Sequence, residues 1–262
     1  MAFAPEPRLT LFALVFLPVL LSLGSWQLER AGEKRALEQR LEQARAARIR
    51  ATALSELDAL PDLTVVRVVG RLDASRAVLV DNRTHGGRPG YELFVPLRAT
   101  AADGDGPAMD AVLVGLGWLP APPVRSELPE VDLPSGPLAI TGLVDGRAGD
   151  VPVFGEIAEA GWPLRVQRLD VPSIAAATGL RLAGRPVMAE PGEPGVQQHL
   201  YDPVRMPSST HTGYAVQWFG LAAVLAGGWV LASARRGRQR KQDSDAPAGA
   251  AAQDGEAGES KP

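Results

Sequence analysis

The sequence predicts two transmembrane helices flanking an extracytoplasmic, mainly antiparallel β domain of α+β type, built as an open sheet or a partly closed barrel. Three observations lead there. Residues 9–28 and 206–234 of the 262-residue chain carry no Asp, Glu, Lys or Arg. Each run is long enough for the roughly 20 apolar residues that cross a bilayer as a helix. From Leu63 onward, short β-branched runs alternate with turns, and few helix-length patterns separate them, which favours an antiparallel arrangement over a doubly wound fold. Glycine and proline, 28 and 23 residues, are dispersed through the chain, a texture that suits short strands rather than long soluble helices.

In chain order, residues 1–8 form a short lead carrying Arg8. Residues 9–28 are the first span, with Pro18 placed to kink it. A cleaved signal peptide is the competing reading, because Ser22-Leu23-Gly24 offers a small-x-small pattern after a short apolar core. Residues 29–60 are rich in Ala, Leu, Glu and Arg and are expected to continue outward as a helix that Pro61 ends. Lys34 and Glu38 fall at i,i+4, and Leu37, Leu41 and Ala44 trace a narrow apolar stripe.

The β-rich domain occupies residues 61–205. Strands are expected at 63–70, 77–81, 91–97, 111–118, 138–144, 163–169 and, weakly, 185–189. His85-Gly-Gly-Arg-Pro-Gly90 reads as a connecting loop and residues 101–107 as a flexible turn. Residues 120–137 hold too much proline for a central strand. A short helix is expected at 171–178, with Gly179 capping its end. The second span is placed at 211–234, with Tyr214, Trp218 and Trp229 towards its ends, where amphipathic rings favour the interface. Arg235, Arg236, Arg238, Arg240 and Lys241 follow, a compact basic flank that favours the cytoplasmic side. With two spans, both termini are then cytoplasmic and the central domain extracytoplasmic. The arginines after the first span point the other way, but that loop exceeds the roughly 60 residues over which the rule holds. The tail to Pro262 has nothing to bury and reads as disordered.

The functional inventory is short. A net charge of −3 without a clustered basic face points away from nucleic acid. With no cysteine, disulfides, thiolate metal sites and a cysteine nucleophile are excluded. His211, Tyr214 and Trp218 are spaced i, i+3 and i+7 and share one helical face. Gly220, Ala222, Ala223, Ala226 and Gly227 offer a small surface below them for a second helix. An imidazole there is suited to the iron of a flat apolar cofactor such as haem; an interfacial histidine bonded to backbone or water fits the same pattern. His85 has Asp81 and Arg88 nearby, yet no Gly-x-Ser-x-Gly elbow accompanies it, so it reads as a loop histidine. Met188, His199, Met206 and His211 are copper-compatible types at loose spacing. Trp26-Gln27 closes the first span as interface residues.

Three stretches taken together resemble one family. Leu23-Gly-Ser-Trp-Gln-Leu-Glu-Arg30 looks like the entry motif of the surfeit-locus family of cytochrome c oxidase assembly proteins. Gly90-Tyr-Glu-Leu-Phe-Val-Pro-Leu97 with Gly117-Trp-Leu-Pro120 resembles its central motif, and His211-Thr-Gly-Tyr-Ala-Val-Gln-Trp-Phe219 its second-span motif. The resemblance implies a non-enzymatic membrane factor of the bacterial inner membrane that helps place haem a into subunit I of the oxidase, with haem A synthase as a further partner. By motif match, His211 is the implied iron ligand and Tyr214 and Trp218 its neighbours at a transient haem a cargo. A scaffold for the nascent subunit that never touches haem is the alternative. Two positions depart from the pattern: Gly115-Leu116 stands where the family has Asn-Arg, and Glu33 where it has tryptophan.

Overall fold

The computed structural model describes residues 3–47, 51–99, 109–124, 127–145 and 161–245. The chain forms two compact units, divided after Glu38 and again before Val204.

The first unit is built on a pair of helices, the first of which ends in the second unit. Helix α1 runs Pro7–Ala46, continuous through Pro18. A later helix, Ser208–Asp245, is the third in chain order and is called α3. Glu38 meets Ser208 near one end of the pair, while Trp229 meets Thr10 and Arg236 meets Glu6 near the other, so the two helices run in opposite directions. Small and polar residues line the seam: Ala13, Gly24 and Ala31 on α1 and Ala215, Ala222 and Ser233 on α3 are all buried. The large apolar side chains face outward, with Leu14 68% exposed and Val224 73%. Both helices are long and apolar enough to cross a membrane.

Three features of these helices differ from the sequence expectation. Helix α1 ends at Ala46 rather than near Pro61, because the chain beyond joins the sheet: Ala51 bridges to Arg67, and Thr52 N–H donates to the Arg67 carbonyl. A 3₁₀ segment, Leu54–Ala59, then turns Leu54 and Leu57 into the β core. Lys34 and Glu38 do not bridge each other; Lys34 Nζ donates to the Val204 carbonyl and Glu38 accepts from Ser208. Helix α3 continues through the basic block to Asp245, as Arg, Lys and Gln are good helix formers. The tail beyond Asp245 and the turn at 101–107 lie outside the described residues.

The second unit is a seven-stranded mixed sheet. Its strands are β1 Val65–Leu72, β2 Val78–His85, β3 Arg88–Arg98, β4 Ala111–Pro120, β5 Pro137–Val144, β6 Leu164–Val166 and β7 Val187–Ala189. The order is β1-β5-β7-β4-β3-β2-β6, and β1 also pairs with β3, so the ladder returns on itself. Pairing is antiparallel except for β6 on β2 and β7 on β4. Helix α2, Val171–Thr178, begins at Asp170, whose carboxylate accepts from Ser173 N–H, and ends at Gly179 with φ +69°. Only a residue tolerant of that left-handed conformation closes a helix this way.

Strand β4 explains the core. Val112, Val114 and Leu116 enter one apolar cluster with Leu93, Val95, Leu97 and Ile140. Ala111 and Leu113 enter a second, with Val78, Phe94, Ile174 and Met188. Because side chains alternate across a strand, burial of both sets means that both faces of β4 are covered.

The loop predicted at 85–90 is tighter than its glycines suggest. His85 ends β2 and pairs with Arg88, leaving Gly86 and Gly87 alone in the turn. Their φ values of +55° and +76° suit the two-residue hairpin turn whose twist matches its strands, which requires positive φ at both positions. His85 is therefore a strand residue, and Pro89 and Gly90 belong to β3.

Candidate functional site

The second-span motif starts at the first turn of α3. Ser208 opens the helix, and both its N–H and its hydroxyl donate to the Glu38 carboxylate, each at 2.8 Å. A carboxylate there meets unsatisfied N–H groups and the positive end of the helix dipole. The Ser208 N–H, then its hydroxyl, hold the Glu38 carboxyl below its ordinary range against the opposing effect of desolvation.

One turn on, His211 is 8% exposed. Its Nδ1 lies 2.8 Å from Gln27 Oε1 across the seam. One turn before Gln27, Gly24 makes the close approach possible: a Cβ there would stand 2.8 Å from the Phe219 ring. Ala215 and Ala222 continue the buried face from His211. The helix partner is thus α1.

The other two residues of the expected trio are placed differently. Tyr214 is 48% exposed and Trp218 half-buried, so His211 turns into the seam while Tyr214 faces out. The anticipated small surface is likewise divided. Ala222 is buried and Ala226 half-buried, but Gly220, Ala223 and Gly227 are exposed, and nothing lies within 4 Å of a Cβ built on Gly220 or Gly227. Glycine and alanine occupy both faces of α3, so composition alone did not distinguish them.

Gln27 and Glu38 are the polar partners that sequence reasoning missed. The available signal was Gln27 itself, an amide inside a 20-residue uncharged run, where an unsatisfied polar group is costly.

The remaining candidates fall in different settings. His85 is half-buried with its ring centroid 5.5 Å from that of Trp118. Met188 is a core side chain and Met206 is exposed. Among the described residues no three His, Cys, Asp or Glu gather as a metal site.

The central motif is one folded patch. Gly90, Tyr91, Glu92 and Leu93 on β3 pair with Pro120, Leu119, Trp118 and Gly117 on β4. A Cβ on Gly90 would lie 2.2 Å from the Leu119 carbonyl oxygen and 2.4 Å from the Trp118 ring, so glycine is required. Trp118 Nε1–H donates to the Arg83 carbonyl at 2.9 Å. Leu116 is the extra residue of a bulge between Leu93/Phe94 and Gly117/Gly115. It is fully buried, and Gly115 faces Met188 and Phe94. The Gly115-Leu116 departure therefore fills apolar space.

The sequence model of the SURF1 family matches residues 14–223, from the first span through the His211 motif and into the second span. The chain belongs to the SURF1 family. That family is associated with cytochrome c oxidase assembly and is an assembly family rather than a catalytic one. No individually curated protein matches the chain. As a SURF1 protein it is a membrane protein with two candidate spans.

Proposed function

We propose that this SURF1 protein assists the placement of haem a into subunit I of cytochrome c oxidase, with His211 as the axial ligand that holds the cargo in transit. The observation that supports this reading is the state of His211. The ring is buried, its Nδ1 is engaged by Gln27 Oε1, and Nε2 has no hydrogen-bond partner among the described residues. A neutral imidazole with one nitrogen anchored and the other free suits iron ligation. No second histidine lies on α1 or α3, and a factor that must release its cargo is better served by one protein ligand than by two. Tyr214 faces away from the seam that holds His211, so the reading rests on the imidazole and not on Tyr214 or Trp218.

The setting is the bacterial inner membrane, with both termini cytoplasmic and the β unit extracytoplasmic. The basic block from Arg235 supports that orientation. Subunit I is the recipient, and haem A synthase is the donor.

The test is an absorption spectrum with haem extraction of the protein purified from cells that make haem a, beside His211→Ala. A stoichiometric haem a band that His211→Ala loses is the expected result. A colourless wild-type protein that still copurifies with oxidase subunits overturns it in favour of a scaffold that never touches haem.

A further inference from the structure

We infer that Gln27 is a positioning residue for His211: its amide oxygen keeps the imidazole proton on Nδ1 and so leaves the lone pair on Nε2 for iron. The inference rests on the haem reading above.

Three observations converge on it. Gln27 Oε1 lies 2.8 Å from His211 Nδ1, with the amide oxygen towards the ring. With the amide oxygen facing the ring, Nδ1–H donates to it, and in a neutral ring the other nitrogen is then bare. The alternative tautomer, with the proton on Nε2, has no ligating lone pair on that side and pairs with Gln27 only if the amide turns its NH2 towards Nδ1.

The approach is also held from both sides. Gly24, one turn before Gln27, lets the Phe219 side of α3 come close. Glu38 fixes the start of α3 through two hydrogen bonds to Ser208, one turn before His211. The Gln27–His211 distance is thereby a property of the helix register rather than of two free side chains.

The surroundings make the choice of tautomer matter. Gln27 lies at the end of a run without charge and is half-buried, and His211 is 8% exposed. Water competes weakly for either ring nitrogen at such a site, so the Gln27 side chain decides. A hydrogen bond of this kind also makes the imidazole a stronger donor to metal, and loss of such partners typically weakens metal affinity about 10–100-fold.

The experiment compares wild type, Gln27→Leu and Gln27→Glu. Leucine removes the acceptor at similar size and suits the apolar span. Glutamate keeps an acceptor in place and cannot present an N–H to the ring. The first readout needs no haem: the ¹⁵N spectrum of histidine-labelled protein in detergent, which holds three imidazoles, His85, His199 and His211, with His211→Ala assigning its signal. The expected result is a His211 ring protonated on Nδ1 in wild type and in Gln27→Glu. In Gln27→Leu the proton moves largely to Nε2.

The second readout is the haem a dissociation constant, expected to rise about 10–100-fold in Gln27→Leu and to be restored in Gln27→Glu. The midpoint potential of the bound haem should fall in Gln27→Glu, as a carboxylate makes the imidazole more electron-rich. A wild-type His211 protonated on Nε2, a tautomer unchanged by leucine, or equal haem affinity in wild type and Gln27→Leu would each overturn the inference. If the tautomer switches as expected but wild type binds no haem a, the Gln27–His211 assignment stands and the haem reading falls.

Discussion

The helix pair and the β unit are built from the same apolar residue types, placed in opposite ways. In the β unit the large side chains are inside: Leu93, Leu97, Leu113 and Ile140 are fully buried. In the helix pair they are outside, with Leu11, Leu14, Val216 and Val224 exposed, while Ala13, Ala31, His211, Ala222 and Ser233 fill the seam. Water drives the first arrangement, since burying apolar surface is the main source of its stability. Lipid allows the second. Hydrocarbon tails solvate leucine as well as another helix does, so helices associate through small residues that pack closely and polar groups that find partners. The same leucine therefore has opposite structural weight in the two units.

The sharpest way to break this contrast is to truncate one large side chain in each unit. Leu93→Ala should cost about 2–5 kcal/mol in denaturant unfolding, with loss of near-ultraviolet signal from the sheet. Val224→Ala should change stability in detergent by no more than about 0.5 kcal/mol. A large loss at Val224 would mean that its side chain is not solvated by lipid or detergent.

Enlarging side chains should reverse the ranking within the helix pair. Gly24→Val places atoms where the Phe219 ring now sits and should cost about 1–3 kcal/mol, read as a lowered thermal transition in detergent. Gly220→Ala meets nothing and should stabilise the helix by up to about 1 kcal/mol, the propensity difference between the two residues. Equal responses at the two glycines would show that the seam lies elsewhere.

The smallest effect is a pH dependence at the entry to α3. The Glu38 carboxyl is held below its ordinary value of 4.5. Its contribution is therefore complete above that value and is lost as pH falls through the lower folded-state value. Unfolding of wild type and Glu38→Gln should differ at neutral pH and converge in acid. A gap that persists unchanged at low pH would remove Glu38 from the account.

What the sequence disclosed, and what it did not, divides along the range of the interactions. The strands expected at 63–70, 77–81, 91–97, 111–118 and 138–144 overlap β1 to β5, because β-branched runs between turn residues are a local signal. The Val171–Thr178 helix with its Gly179 cap was legible in the same way. Ring closure through Arg71↔Arg98 and Leu72↔Leu97, and the parallel pairings of β6 and β7, leave no local trace, since each joins segments far apart in the chain. The site follows the same rule. His211 stood out beside Tyr214 and Trp218, but its partner Gln27 lies 184 residues away, and no spacing rule connects them. The Lys34–Glu38 pair shows the converse limit of local reading. A local i,i+4 match looked sufficient, yet both side chains are used across the seam, by Val204 and Ser208.

Those two contacts also bear on the chain that runs between them. By joining Lys34 to Val204 and Glu38 to Ser208, they tie together the segments from which residues 39–203 depart and to which they return. A chain held at both ends has fewer unfolded arrangements than a free one. Secreted domains of similar size obtain that restraint from disulfides, which a chain without cysteine cannot form. Here a paired set of membrane helices acts as the clasp. The β unit in place is therefore expected to resist unfolding better than the same residues cut free.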